Sequence, residues 1–175
     1  MKKLAGKLLL ILTFGLLILL IGGTMIKKVK AVEAAEKISN LPDLVMTDIR
    51  GNIFRTDQIN SGPLLITFFH PECDHCRYEI SSLLDSGLPG SQLTLLLVSY
   101  ADRTDIQSFM QQLDIVDGSN LHILHDSDFK MSELFGADIM PSNFIYNDSL
   151  QLVKIFKGST RPEAMLKYLY SSDKY

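Results

Sequence analysis

Cys73 and Cys76 are the only cysteines of the 175-residue chain, and they stand three positions apart in Cys73-Asp74-His75-Cys76. A pair this close suits three kinds of chemistry. It can exchange with another disulfide, rest as a static local disulfide, or bind copper or zinc with help from His70 or His75. A stabilising disulfide normally closes a longer loop, where the entropy removed from the unfolded chain is larger. A structural zinc site normally brings a second clustered pair, and none is present. Two cysteines are also too few to staple a small secreted scaffold. Reversible exchange is the expectation these arguments leave strongest.

The elements around the pair explain why it would react. Leu64 to Phe69 is a continuous apolar run, the pattern of a strand buried on both faces. After the pair, Cys76, Ile80, Leu83 and Leu84 recur at helical spacing, and Gly87 and Pro89 close that helix. The dithiol therefore belongs at a strand-to-helix junction. A helix N-terminus carries unpaired N–H groups and the positive end of the macrodipole, both of which stabilise a thiolate. The first cysteine becomes the exposed nucleophile, and the second, one turn on, resolves the mixed disulfide. Glu72 and Asp74 flank Cys73 and oppose its ionisation by like charge.

The remaining elements follow in an alternating order. Leu44–Thr47 and Asn52–Arg55 flank the turn-like Asp48–Gly51 and read as a leading hairpin. Leu93–Val98 and Leu121–Leu124 read as strands. Ile106, Phe109, Met110 and Leu113 mark a helical face, and Met131, Leu134 and Phe135 a short helix stopped by Gly136. Ser142–Tyr146 and Leu150–Phe156, joined at Asn147-Asp148-Ser149, read as a second hairpin. Thr160-x-x-Glu163 with Pro162 reads as the capping box of a closing helix. His122 and His125 are read as alternate positions of one strand, sharing a face and serving structure. This order implies an α/β domain with a mixed sheet flanked by helices.

The stretch Phe68-Phe69-His70-Pro71-Glu72-Cys73-Asp74-His75-Cys76-Arg77-Tyr78-Glu79 resembles the active-site segment of the TlpA/ResA-like thiol–disulfide oxidoreductases, an AhpC/TSA-redoxin-like group of the thioredoxin superfamily. The resemblance runs from Leu41 to the C-terminus. It implies a thioredoxin-like fold with an N-terminal hairpin and an extra βα unit before Pro141. It also implies a cis Met140-Pro141 bond facing the dithiol, a buried acid at Glu79 that serves the resolving cysteine, and a membrane-tethered extracytoplasmic setting. His75 stands between the cysteines as a histidine does in oxidising relatives, and with Asp74 and Glu72 it is a candidate tuning residue. Two positions depart from the pattern. Glu72 holds the place of a tryptophan, and Ser81 that of a proline.

Charge and hydropathy divide the chain. Leu8–Ile26 holds no charged residue, and at about 1.5 Å per residue its nineteen positions span roughly 28 Å, close to a bilayer's hydrocarbon thickness. It is longer than the apolar region of a cleaved signal peptide, and Lys27, Lys28 and Lys30 occupy the place of cleavage. The expected organisation is a short cytoplasmic N-terminus at 1–7, a transmembrane signal anchor at 8–26, a polar stalk at 27–40, and the thioredoxin-like domain at 41–175. The expected location is the bacterial cytoplasmic membrane, single-pass, with the domain outside the cytoplasm. Three lysines flank each end of the span, so the positive-inside rule is nearly balanced and the orientation follows the usual signal-anchor arrangement.

The first thirty residues hold six of the 17 basic residues and no acid, which leaves 11 against 20 acids in the rest. That acidic surface argues against nucleic acid as a partner. The expected partners are protein thiols and disulfides and a membrane or envelope redox protein. No cofactor beyond the Cys73–Cys76 disulfide and no resident metal is expected. Two rival readings remain, a copper chaperone of the same fold and a thiol peroxidase. The peroxidase needs a hydroxyl shortly before its reactive cysteine, where His70-Pro71-Glu72 offers none.

Overall fold

The computed structural model describes residues 35–59, 62–87 and 93–169, together with Gly15. The expected anchor at 8–26, Gly15 excepted, and most of the stalk lie outside these residues. Among the described residues no helix is long and apolar enough to cross a membrane.

Two short strands open the domain, β1 (Val45–Asp48) and β2 (Ile53–Arg55), paired antiparallel. Their turn is built by Asp48, whose Oδ1 accepts the N–H groups of Arg50 and Asn52, both at 2.8 Å. Gly51 completes it at φ +89°, a conformation that glycine adopts without a Cβ penalty. Next come β3 (Leu64–Phe68), α1 (Asp74–Asp85), β4 (Thr94–Ser99), α2 (Arg103–Gln112), β5 (Leu121–His125), α3 (Lys130–Phe135), β6 (Ser142–Tyr146), β7 (Leu152–Lys157) and α4 (Pro162–Leu169). The strands form one seven-stranded sheet in the order β2-β1-β5-β4-β3-β6-β7. β3 pairs parallel with β4, and β4 with β5. The other pairings are antiparallel. This is the mixed sheet that the alternating pattern requires.

Alternation along the strands sorts the core into two layers. Leu65, Phe69, Leu95, Leu97, Ile123 and Ile145 point to the side covered by α1, α2 and α4. Leu64, Ile66, Phe68, Leu96, Val98, Leu124 and Phe144 point to the other, where α3 contributes Met131 and Phe135. Central β3 is buried along its whole length, which explains its largely apolar sequence. On α1, Cys76, Glu79, Ile80 and Leu83 are the buried residues, a single stripe at helical spacing.

Two sequence expectations need correction. His122 and His125 are three positions apart in β5, an odd spacing that sends them to opposite faces. His122 packs against the Phe54 ring at 4.9 Å, and His125 Nδ1 accepts from Arg103 Nε at 3.0 Å. The capping box at Thr160 does not form either. α4 begins at Pro162, the Thr160 hydroxyl donates to the Gly158 carbonyl, and the Thr160 N–H is directed at Glu79. A side chain from another helix has taken the donor that local capping would have used.

The short helix α3 is held by buried Asp126. Its carboxylate accepts the N–H groups of Met131 and Ser132 at 3.0 and 2.7 Å and the Ser132 hydroxyl at 2.6 Å. Asp126→Ala would leave these donors without a partner in a site closed to water. The expected loss is about 2–3 kcal/mol, read from urea unfolding of the full chain. A change below about 0.5 kcal/mol, the range of an ordinary surface substitution, would show that α3 does not depend on this carboxylate.

Candidate active site

Buried β3 delivers the chain to the sheet's C-terminal edge, where His70-Pro71-Glu72 leads into α1. Cys73 is the N-cap of α1, with extended backbone at φ −87° and ψ 108°. The helix thus starts one residue after the first cysteine. Cys73 and Cys76 are joined as a disulfide, with Cα atoms 5.2 Å apart. Cys73 is half-buried, whereas Cys76 is fully enclosed beneath it. The Cys76 N–H donates to Cys73 Sγ at 3.1 Å. This contact aims an N–H of the first helical turn at Cys73 Sγ, the arrangement by which a helix N-terminus stabilises a thiolate. The geometry leaves Cys73 Sγ as the more accessible sulfur and Cys76 Sγ as the enclosed one.

The Met140–Pro141 bond is cis, and the Met140 carbonyl oxygen lies 3.8 Å from Cys73 Sγ. A disulfide sulfur has no proton, so this is a packing contact. It places the backbone before Pro141 against the exposed side of the dithiol. Ile139, one residue before Met140, is 49% exposed. A further aromatic row crosses the ends of β3, β4 and β5. The His70 and Tyr100 rings are 5.5 Å apart, and those of Tyr100 and Phe129 4.9 Å.

Glu79 lies one turn beyond Cys76 on the same helical face and is 1% exposed. Its Oε1 accepts from Asn143 Nδ2 at 2.8 Å, and its Oε2 from the Thr160 N–H. Burial raises its pKa above the ordinary carboxyl value, and the two hydrogen bonds pull the other way without cancelling it. The result is a carboxyl that can hold or release a proton nearer neutrality than a surface glutamate.

The three candidate tuning residues are placed differently. Glu72, Asp74 and His75 are all exposed on the rim. Asp74 occupies the first turn of α1, and the Glu72 N–H donates to His70 Nδ1 at 3.3 Å. Among the described residues no three His, Cys, Asp or Glu side chains are grouped to hold a metal ion. A groove of about 780 Å³ lies between α1 and α4, lined by Tyr78, Asp85, Arg161 and Lys167 among others, and it contains neither cysteine.

The AhpC/TSA family model matches residues 39–155, from the segment before β1 through most of β7. The chain belongs to the AhpC/TSA family. Solved structures similar to it have the thioredoxin-like fold of thiol–disulfide oxidoreductases. DsbF from MTB, determined in mixed oxidised and reduced forms, aligns with a TM-score of 0.64 and 16% identity over 72% of this chain and 92% of its own. A secreted Mycobacterium tuberculosis disulfide oxidoreductase homologous to E. coli DsbE aligns at 0.62 and 19% over 76% and 96%. The exposed lipoprotein thioredoxin of Streptococcus pneumoniae aligns at 0.59 and 19% over 73% and 97%. A comparison with the curated proteins finds no match. Among AhpC/TSA members, then, this chain has the thioredoxin-like architecture that places a Cys-x-x-Cys pair at a helix N-terminus.

Reasoning from sequence missed three participants at this site, Thr67, Asn143 and the Thr160 backbone. A signal for the first two was present. Thr67 is the one polar residue of Leu64–Phe69, the segment read above as a continuous apolar run, and Asn143 stands inside Ser142–Tyr146, a strand otherwise free of amides. Polar side chains inside such strands are buried and must find partners.

Proposed function

We propose that this protein is a membrane-anchored, extracytoplasmic thiol–disulfide oxidoreductase that exchanges electrons with protein thiols and disulfides through Cys73 and Cys76. The observation that carries the proposal is the stacked arrangement at the start of α1, with an accessible sulfur, an enclosed partner sulfur one turn on, and a buried carboxyl beyond it. In the reducing direction, the Cys73 thiolate attacks a substrate disulfide. A Cys73–substrate bond forms, the substrate disulfide breaks, and one substrate sulfur leaves as a thiolate and takes up a proton. Cys76 then gives its proton to Glu79 and attacks Cys73 Sγ. The second substrate sulfur leaves, and the Cys73–Cys76 disulfide remains. The substrate has gained two electrons and the protein has lost two. Reversing the steps oxidises a substrate dithiol.

The disulfide serves as the redox group, with no added cofactor. Pro141 and the Met140 carbonyl shape the surface on which substrate backbone lies. Glu72, Asp74 and His75 set the charge around the reactive sulfur. The uncharged run 8–26 anchors the chain, 27–40 spaces the domain from the bilayer, and a membrane or envelope redox partner resets the dithiol.

The test is exchange with a protein disulfide such as that of insulin, followed by thiol counting. Reduced full-length protein is expected to lose two thiols for each disulfide it opens. In intact cells, after reduction, a membrane-impermeant maleimide is expected to label Cys73. Absence of exchange would reject the chemistry, and labelling only after lysis would reject the location.

A further inference from the structure

Glu79 is enclosed by hydrogen-bond partners whose polarity restricts where its proton can go. The Thr160 N–H belongs to the backbone and can only donate, so it fixes Oε2 as an acceptor in every state. Oε1 faces the Asn143 amide, whose Nδ2 donates at 2.8 Å. On the far side of that amide, Oδ1 accepts from the Thr67 hydroxyl, also at 2.8 Å. Thr67 and Asn143 are directly opposed across the antiparallel β3–β6 pair, and both are fully buried. This arrangement satisfies the carboxylate form. It does not satisfy the acid, because an Oε1–H would point at an amide N–H.

We propose that Asn143 and Thr67 form a reversible amide-flip relay that serves Glu79 in both of its protonation states. When Oε1 takes a proton, the Asn143 amide turns over and presents Oδ1 to receive it. Nδ2 then faces Thr67, whose hydroxyl accepts as readily as it donates. No bond to Glu79 is lost in either state. Asn143 and Thr67 are thus positioning residues: they touch no substrate, but they let a buried carboxyl titrate without leaving a buried donor unpaired. Their importance for exchange rests on the reading of Glu79 as the proton carrier. The flip itself rests only on the hydrogen-bond geometry.

Among the described residues, the groups hydrogen-bonded to this carboxyl are both uncharged. On its own helix, Arg77 lies over the Phe109 ring. On β7, Lys157 is held by Asp138 and the Gly136 carbonyl, and Lys154 lies over Phe156 and Tyr168. Arg161 and Glu163, at the start of α4, line the groove beside α1. β3 and β6 bring Thr67 and Asn143 to it, neither of which is charged. The Cys73–Cys76 disulfide has no titrating proton in the oxidised state.

The experiment is a pH titration of isotope-labelled full-length oxidised protein by NMR, following the Glu79 carboxyl carbon and the Asn143 side-chain amide together. The amide resonances are expected to shift with the same midpoint as the Glu79 carboxyl. In Glu79→Gln they are expected to stay at the low-pH wild-type position at every pH, since the substituted side-chain amide must donate to Asn143 as the protonated acid does. Thr67→Val leaves Asn143 Oδ1 without its donor in the carboxylate state and the flipped Nδ2–H without an acceptor in the acid state. The unpaired buried N–H is the costlier of the two, so the Glu79 midpoint should fall, by up to about one pH unit, while Thr67→Ser should leave it in place. A fixed, non-flipping Asn143 would instead leave the Thr67→Val midpoint unchanged or raise it, and that result would overturn the relay. So would a wild-type Asn143 amide that does not respond while Glu79 titrates, a measurement that needs no variant to fold. None of these readouts involves substrate. An intact amide response in a protein inactive in exchange would support the relay and count only against the oxidoreductase reading.

Discussion

Cys76→Ser will arrest exchange halfway and accumulate a mixed disulfide between Cys73 and the substrate, while Cys73→Ser will form none. The asymmetry follows from burial. Cys73 is half-exposed and accepts the Cys76 N–H, so its thiolate is both reachable and stabilised, whereas Cys76 is enclosed. Removing the nucleophile should lower the exchange rate by roughly a thousandfold or more, the scale on which losing such a group acts. Non-reducing electrophoresis of each variant with an oxidised protein substrate reads the adduct directly. Equal trapping by both variants would mean that both sulfurs are open to substrate, contrary to the enclosure of Cys76.

The second large effect is on proton handling at Glu79. Glu79→Gln retains shape and hydrogen-bonding capacity but cannot take the proton from Cys76. The expected loss in exchange rate near neutral pH is about a hundredfold, the lower end of general acid–base contributions. The lower end applies because a thiol's ordinary pKa, about 8.5, already leaves a small thiolate fraction at that pH. Above the thiol pKa the variant should approach the wild type, since no base is then required. Wild-type rates in the variant across the whole pH range would reduce Glu79 to a structural role.

Stability gives an independent check on the same group. Burial raises the Glu79 pKa in the folded protein above its unfolded value, so the folded state holds this proton more tightly. Its contribution is fully present below the unfolded value and is lost as pH rises through the raised folded value. Chemical denaturation should show this decline in the wild type and its absence in Glu79→Gln.

Periodicity and composition determined much of the domain. The largely apolar run at Leu64–Phe69 marks a strand buried on both faces, and the Cys76, Ile80, Leu83 spacing marks the helix that follows. Those two local patterns place the dithiol at a helix N-terminus, because nothing but a short loop separates them. Glu79 was legible as a candidate through its spacing from Cys76 and the family resemblance. What lay beyond sequence were the contacts made at long range. Asn143 is 64 residues from Glu79, and Thr160 is 81. Neither position carries a local signal of which acid it will meet. The capping-box pattern at Thr160 even suggested the wrong partner, since a local rule cannot register a carboxylate arriving from another helix. Tertiary packing decided that Thr67, Asn143 and Thr160 converge on one carboxyl, because only closing α1 and α4 over β3 and β6 excludes water and leaves those groups to satisfy one another.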